Sequence, residues 1–288
     1  MTHRLRSFII VAASYLLALL AGAAVFALLP QWGPLPRLAA ADAAATLVIW
    51  VLSLPLRNAS LYDPYWSVAP ALLLAGLALY TGGWSGPAVL LLILLLFWGI
   101  RLTANWARGF AGLHAQDWRY TDVERQHPRL WPLISLVGIQ MTPTIVVFLA
   151  MLPALYAVVQ PTGLHIWTLP VALFAVAGVC LEWAADGQMR RFRRDGGNNG
   201  QVNARGLWRL SRHPNYLGEI AFWWGVYLTS LSTARLPPWT LTGPAAVTAL
   251  FLFVSIPMME KRQLSAKPGY REYMKATGML IPRPKRRL

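Results

Sequence analysis

Residues 86–104, GPAVLLLILLLFWGIRLTA, carry a single formal charge, Arg101, in a run that is otherwise apolar or small. A stretch of about 18 such residues is long enough to cross the hydrocarbon core of a bilayer as a helix. The chain repeats the pattern. Apolar segments occupy 8–29, 41–56, 65–80, 86–104, 131–158, 165–184, 215–232 and 241–258. Between several of them stand turns punctuated by Pro and Gly: LPQWGPLPR, TGGWSGP, QPTG and ARLPPW. Only 13% of the 288 residues are charged, where a soluble domain carries about a quarter. The sequence therefore predicts an all-α, polytopic integral membrane protein in contact with membrane lipids, with about seven or eight transmembrane helices and no room for a large soluble domain. The third segment, 65–80, is short and the weakest of the set. The chain divides into N-terminal transmembrane helices over 1–60 and a main membrane domain over 61–288, without an internal repeat. The first apolar run exceeds the roughly 7–15 residues of a signal-peptide core, which predicts a retained first helix.

A formal net charge of +15 would point to nucleic acid in a soluble protein. Here it reads as topology, because cytoplasmic loops collect Lys and Arg. With eight spans and a cytoplasmic N-terminus, every basic residue except Arg37 and Arg235 falls on the cytoplasmic side. Both termini are thus expected in the cytoplasm, and no nucleic-acid partner is expected. Three polar stretches lie on that side, 105–130, 185–214 and 259–288, and can form a basic cap over the helix ends. RDGGNNGQVN, within the second, reads as a mobile loop. Cys180 is the single cysteine, so neither an intramolecular disulfide nor a Cys-based metal site is possible. The five histidines are scattered without metal-ligand spacing, and no Gly-rich phosphate-binding motif is present. A soluble dinucleotide fold or a hydrolase is disfavoured. The sequence leaves the oligomeric state open.

Several clusters could carry chemistry. In CLEWAADGQMRRFRR, Glu182, Asp186 and Arg190 share a helix face at four-residue spacing. They read either as a surface ladder of ion pairs or as a pocket in which Asp186 meets a ligand amide or hydroxyl. Arg190, Arg191, Arg193 and Arg194 suit lipid headgroups or a bound phosphate. In RLTANWARGFAGLHAQDWRY, Arg101, Asn105 and Arg108 lie on one face, and Trp118, Arg119 and Tyr120 interleave aromatic and basic groups. This segment is either interfacial or folded over a planar cofactor. In LYDPYWSVAP, Asp63 precedes Pro64 as an ordinary helix start would. Flanked by Tyr62 and Tyr65, it is also a suitable proton donor. Gln140 in the fifth segment has no obvious partner and can line the same cavity. In RGLWRLSRHPNYLGEIAFWWGVYL, His213, Asn215 and Tyr216 open an apolar helix that carries Glu219 one turn inside. A membrane carboxylate needs a partner, and Arg212 or a ligand hydroxyl is the expected one.

ADGQMRRFR, GLWRLSRHPNYLGE followed by WWGVYL, and the closing IP…E and Y…T…IP elements together resemble the C-terminal region of the steroid 5-alpha-reductase superfamily. More closely, the chain resembles its bacterial branch of membrane proteins, DUF1295. The resemblance covers about 60–284 and is strongest over 182–282. It implies NADPH held by cytoplasmic loops, a lipid-like substrate entering from the bilayer, hydride transfer to an activated carbon–carbon double bond, and residence in a bacterial inner membrane. Carried onto this chain, Asp186, Arg193, Arg205, Asn215, Glu219 and Tyr273 match or adjoin cofactor positions. Arg108, Trp118, Arg119 and Tyr120 join them. Asn105, Arg190, Leu207, Arg212, His213, Tyr216 and Tyr270 complete the expected cofactor set.

The active-site half departs from the steroid reductases. Tyr62-Asp63 stands where they carry a Gln-Glu pair, and Trp98 stands where they carry a catalytic Tyr ahead of the counterpart of Arg101. The expected catalytic set is Asp63, Tyr62, Tyr65 and Arg101. RHPxYxGE also resembles the isoprenylcysteine carboxyl methyltransferases and phospholipid methyltransferases, which bind S-adenosylmethionine. That alternative, and a membrane protein without catalysis, stand beside the reductase.

Overall fold

The structure is a computed structural model. It describes residues 2–282 apart from Asn198 and Asn199. Those two asparagines of the expected mobile loop, and Arg283, Lys285, Arg286 and Arg287 of the basic tail, lie outside the described residues.

Helix follows apolar sequence almost everywhere. Helix α1 spans His3–Leu28 and is capped by the Thr2 hydroxyl, which accepts from Leu5 N. Helix α2, Pro34–Leu56, starts at the proline of GPLPR rather than at the apolar run. Proline suits a first turn because its missing N–H would have no partner there. The early start places Arg37 inside a helix and not in the turn before it, and Asp42 lies one turn further on. A short turn, Ala59–Tyr62, leads to α3, Tyr65–Thr81. Then follow α4, Gly86–Gly109; the short polar α5, Trp118–Gln126; and α6, Trp131–Val159, with a widened π-helical stretch at Ser135–Met141. Helices α7, Thr168–Phe192, α8, Pro214–Leu231, α9, Pro238–Ala266, and the short α10, Tyr270–Ala276, complete the chain. Among the described residues, seven helical segments are long and apolar enough to cross a membrane. Helix α8 is the long helix that falls short of that mark, because Asn215, Glu219 and its tryptophans dilute its hydropathy.

Helix α8 is nevertheless enclosed by protein: Phe222, Trp223 and Val226 are fully buried. Its closest neighbour is α7. A Cβ on Gly178 would stand 2.7 Å from the Gly218 carbonyl oxygen, and one on Gly225 would stand 2.6 Å from Ala175. Only glycine permits that approach. Between helices in lipid the gain comes from van der Waals contact and polar pairing rather than from expelling water, so small residues at a crossing matter. Helices α4 and α6 pack on the same core through Leu91, Leu95, Trp98, Met151 and Leu155.

The basic stretches gather at one end. Arg4 donates to Ala107 O at 2.7 Å, Asn58 to Leu113 O at 2.7 Å, and Arg190 to Asn105 at 2.7 Å. At the opposite end Thr162 N donates to Thr233 O at 2.8 Å, and Arg37 donates to Tyr80 Oη at 2.8 Å. Arg37 is buried beneath the Phe26 ring, 3.9 Å from its centroid, and also donates to Phe26 O. It ties α1 to α3 across the start of α2.

Candidate functional site

A cavity of about 390 Å³ opens at the basic end between the last turns of α4 and α7, the first turn of α8, and α9–α10. The close α7–α8 crossing sets Asp186 beside Asn215 and Tyr216 on its wall. Arg108, Arg190 and Arg193 line it from α4 and α7, and Lys267 from the turn after α9. Among the described residues, none of these four cations has a carboxylate partner. Burial and the neighbouring Arg193 hold the Lys267 ammonium below its usual range. The cavity therefore has more positive charge than its own acids balance.

Asp186 is held from α4. Arg101 donates through Nη1 to Asp186 Oδ2 at 3.0 Å and through Nη2 to the buried Glu182. Asn105 donates to the same Asp186 oxygen at 3.3 Å and accepts from Arg190 at 2.7 Å. The expected face of Glu182, Asp186 and Arg190 is thus real, but its partners come from α4 and not from one another. Arg101 accordingly acts as a clamp on α7.

Residues 205–213 are fastened from below by 274–279. Arg212 N donates to Gly278 O at 2.9 Å, and His213 N to Met279 O at 3.2 Å. The Arg212 guanidinium donates to Glu260 at 2.7 Å and to Thr277 O at 2.6 Å. Tyr273 Oη donates to Trp208 O, and burial pushes its phenol up to about 12. His213 exchanges a hydrogen bond with Glu260 at 3.1 Å and stacks on Tyr216 with ring centroids 5.3 Å apart. Burial lowers the His213 imidazole, and Glu260 opposes this only in part.

Of the expected cofactor set, Asn105, Arg108, Asp186, Arg190 and Arg193 line the cavity. So do Arg212, His213, Asn215, Tyr216, Tyr270 and Tyr273. Glu219 does not. It is 3% exposed, and its partners are indole N–H groups: Trp98 at 3.0 Å to both oxygens and Trp223 at 2.9 Å. The expected Arg212 partner is taken by Glu260. Leu207 N caps onto Gln188 Oε1, and Arg205 does not line the cavity. Trp118 lies under Arg262, 3.6 Å from its ring centroid. Arg119 is paired with Asp117 at 2.8 Å. Tyr120 donates to Asp63 at 2.8 Å, and burial and Asp63 push its phenol up.

The expected catalytic group is a second centre. Asp63 stands at the head of α3 against Tyr120. Tyr62 shares a hydrogen bond with Thr144 at 2.7 Å, and Thr144 with Thr46 at 2.8 Å. Tyr65 donates to Asp42 at 2.7 Å. Gln140 donates to Ser53 at 3.3 Å, and its backbone carbonyl accepts from Thr144, the partner of Tyr62, at 3.0 Å; among the described residues its side-chain oxygen is buried without a partner. Sequence reasoning missed Asp42, although a lone acid in an apolar run was the available signal. It also missed Trp208, Asn203, Gln263 and Lys267 on the cavity wall.

The family described as "Protein of unknown function (DUF1295)" matches residues 49–277. An uncharacterized protein of Schizosaccharomyces pombe (strain 972 / ATCC 24843) is 28% identical over 264 residues, covering 82% of this chain and 76% of its own length. No solved structure matches.

Proposed function

The chain belongs to the DUF1295 family, and from that premise we propose that it is an NADPH-dependent membrane reductase. Its substrate is a hydrophobic, steroid- or lipid-like molecule with an activated carbon–carbon double bond. The reading rests on one observation: the basic-end cavity joins Arg108, Arg190, Arg193 and Lys267 to aromatic faces and to Asp186 and Asn215. The donor set fits the cofactor. Guanidinium groups suit phosphates as forked donors, and four cations can accommodate a dinucleotide with an extra phosphate. Tyr216 and Tyr270 offer ring faces. Asp186 accepts from an amide or hydroxyl, and Asn215 can donate or accept. When bound, the cofactor supplies hydride. Arg101 is a positioning residue that fixes Asp186. Asp63, held by Tyr120, delivers the proton to the carbon next to the one that takes the hydride and is reprotonated from solvent. Tyr62 and Tyr65 orient the polar seam beside it.

The gathered basic ends support a cytoplasmic placement of that end; residence in a bacterial inner membrane rests on the resemblance alone. The methyltransferase reading is disfavoured by charge, because the sulfonium of S-adenosylmethionine would enter a cavity already short of anions. Binding to the purified protein in detergent decides the matter. NADPH is expected to bind more tightly than NADH, and S-adenosylmethionine not at all. S-adenosylmethionine binding without NADPH binding reverses the assignment. Binding of neither leaves the non-catalytic reading.

A further inference from the structure

A second cavity, of about 370 Å³, lies within the membrane span between α1, α2 and α3. Helix α1 packs along α2, while α3 packs on α4 and α6. The divergence of α1 from α3 leaves the cleft. Its mouth carries Leu16, Leu19 and Leu72, which are 57%, 49% and 48% exposed. They face lipid, so the opening is lateral. Helix α1 and Asp42 precede the stretch that matches the family, which starts at residue 49.

One polar pair interrupts the apolar lining. Asp42 is 5% exposed and lines the cleft. Tyr65 Oη donates to Asp42 Oδ1 at 2.7 Å, and among the described residues nothing donates to Oδ2. Among the described residues Asp42 has no cationic partner, and Arg37 on the same helix is committed to Phe26 O and Tyr80. An acid inside a membrane helix is costly, and when retained it marks a polar path or a ligand. It also selects. A carboxylate or phosphate headgroup would meet an acid with no cation to offset it. A hydrocarbon chain would leave Oδ2 unmet. A hydroxyl group can donate to the unmet Oδ2.

We propose that the α1–α2–α3 cleft binds a neutral apolar molecule carrying one hydroxyl group, taken laterally from the bilayer, with that hydroxyl donating to Asp42. The proposal does not depend on what fills the basic-end cavity.

Photolabelling of the wild-type protein in neutral vesicles tests it. Three matched long-chain diazirine probes are used: a primary alcohol, a carboxylic acid and a hydrocarbon. Adducts are mapped by mass spectrometry. The alcohol is expected to label α1 and α3 around Leu16, Leu19 and Leu72 at least about threefold more than either of the others, the effect of one hydrogen bond in lipid. Equal labelling by alcohol and hydrocarbon identifies bulk lipid and overturns the proposal, as does preference for the acid. Absence of labelling together with α1–α3 cross-links between copies identifies a protein interface and overturns it too. Two variants localise the effect. A Cβ on Gly76 meets nothing within 4 Å, so Gly76→Leu fills the cleft without a backbone clash and should abolish the alcohol preference. Asp42→Leu should do the same. Gly138→Leu, equally open but outside the cleft, should retain it. Unchanged preference in a folded Gly76→Leu protein overturns the proposal.

Discussion

Trp98 Nε1 stands 3.0 Å from both carboxylate oxygens of Glu219, joining α4 to α8 through the centre of the helix bundle. The Trp98 ring stacks on Phe222 at 5.2 Å, so packing fixes the indole while its N–H serves the acid. Trp98→Phe keeps most of the packing and removes the donor. It is expected to cost about 1–3 kcal/mol, the penalty for an under-satisfied buried acceptor. A lower thermal midpoint in detergent measures it. An unchanged midpoint would mean that Trp223 alone suffices.

Arg101 serves two acids on α7. Arg101→Leu leaves Glu182 and Asp186 without their cation and should destabilise by about 3–5 kcal/mol. Arg101→Leu combined with Glu182→Leu should recover part of the loss, since the fully buried orphan is then gone. The readout is the fraction of monodisperse protein after heating. No recovery in the double variant would place the main cost at Asp186.

The arginines of the cavity should set cofactor preference. Arg108→Gln and Arg193→Gln are each expected to weaken NADPH binding about fivefold or more, consistent with loss of a charge-assisted phosphate contact. NADH affinity should fall less at the position that meets the extra phosphate. Titration calorimetry with both nucleotides makes the comparison. Equal losses for both at both positions would locate these arginines on the shared diphosphate instead.

The α7–α8 crossing tolerates little added volume. Gly178→Ala places a methyl 2.7 Å from Gly218 O and from Phe222 N, and overpacking of this kind costs about 1–3 kcal/mol. Thermal unfolding of the variant checks the figure. Because Asp186 and Asn215 sit beyond the crossing, NADPH affinity should fall with it. Full affinity in a destabilised variant would show that the cavity does not depend on the helix spacing.

Acid should weaken the structure through His213. Burial depresses its folded pKa below the ordinary 6.5, so between the two values the unfolded chain binds the extra proton. Stability from this residue is therefore full above about pH 6.5 and falls as pH drops. Unfolding midpoints at pH 7.5 and 5.5 should differ more in wild type than in His213→Gln. The comparison separates His213 from its neighbours Glu260 and Arg212, which remain in both proteins.

The spans were legible because hydropathy is a local property, and the helices at 86–109 and 131–159 start where their apolar runs do. The gathering of basic segments was legible from Arg and Lys positions, and most of the cavity wall followed from it. Pairing was not legible. Glu182, Asp186 and Arg190 were seen to share a face, yet the sequence does not say that Arg101 is the residue opposite, because adjacency of helices is a long-range fact. Glu219 was recognised as needing a partner, expected to be Arg212 or a ligand hydroxyl. Two indoles supply it instead, since a tryptophan's donor is invisible to a reading based on charge. Asp42 lay inside the apolar run 41–56 and escaped notice because its partner, Tyr65, stands on another helix.

Residues 277–279 fasten Arg212 and His213, and they are translated after all the long helices. Every span can enter the membrane before the 205–213 wall has its support. Insertion and maturation of the basic-end cavity are thus separate events in time. A chain caught between them would be fully embedded, correctly oriented and unable to hold a ligand there. Quality control that senses only membrane integration would pass it.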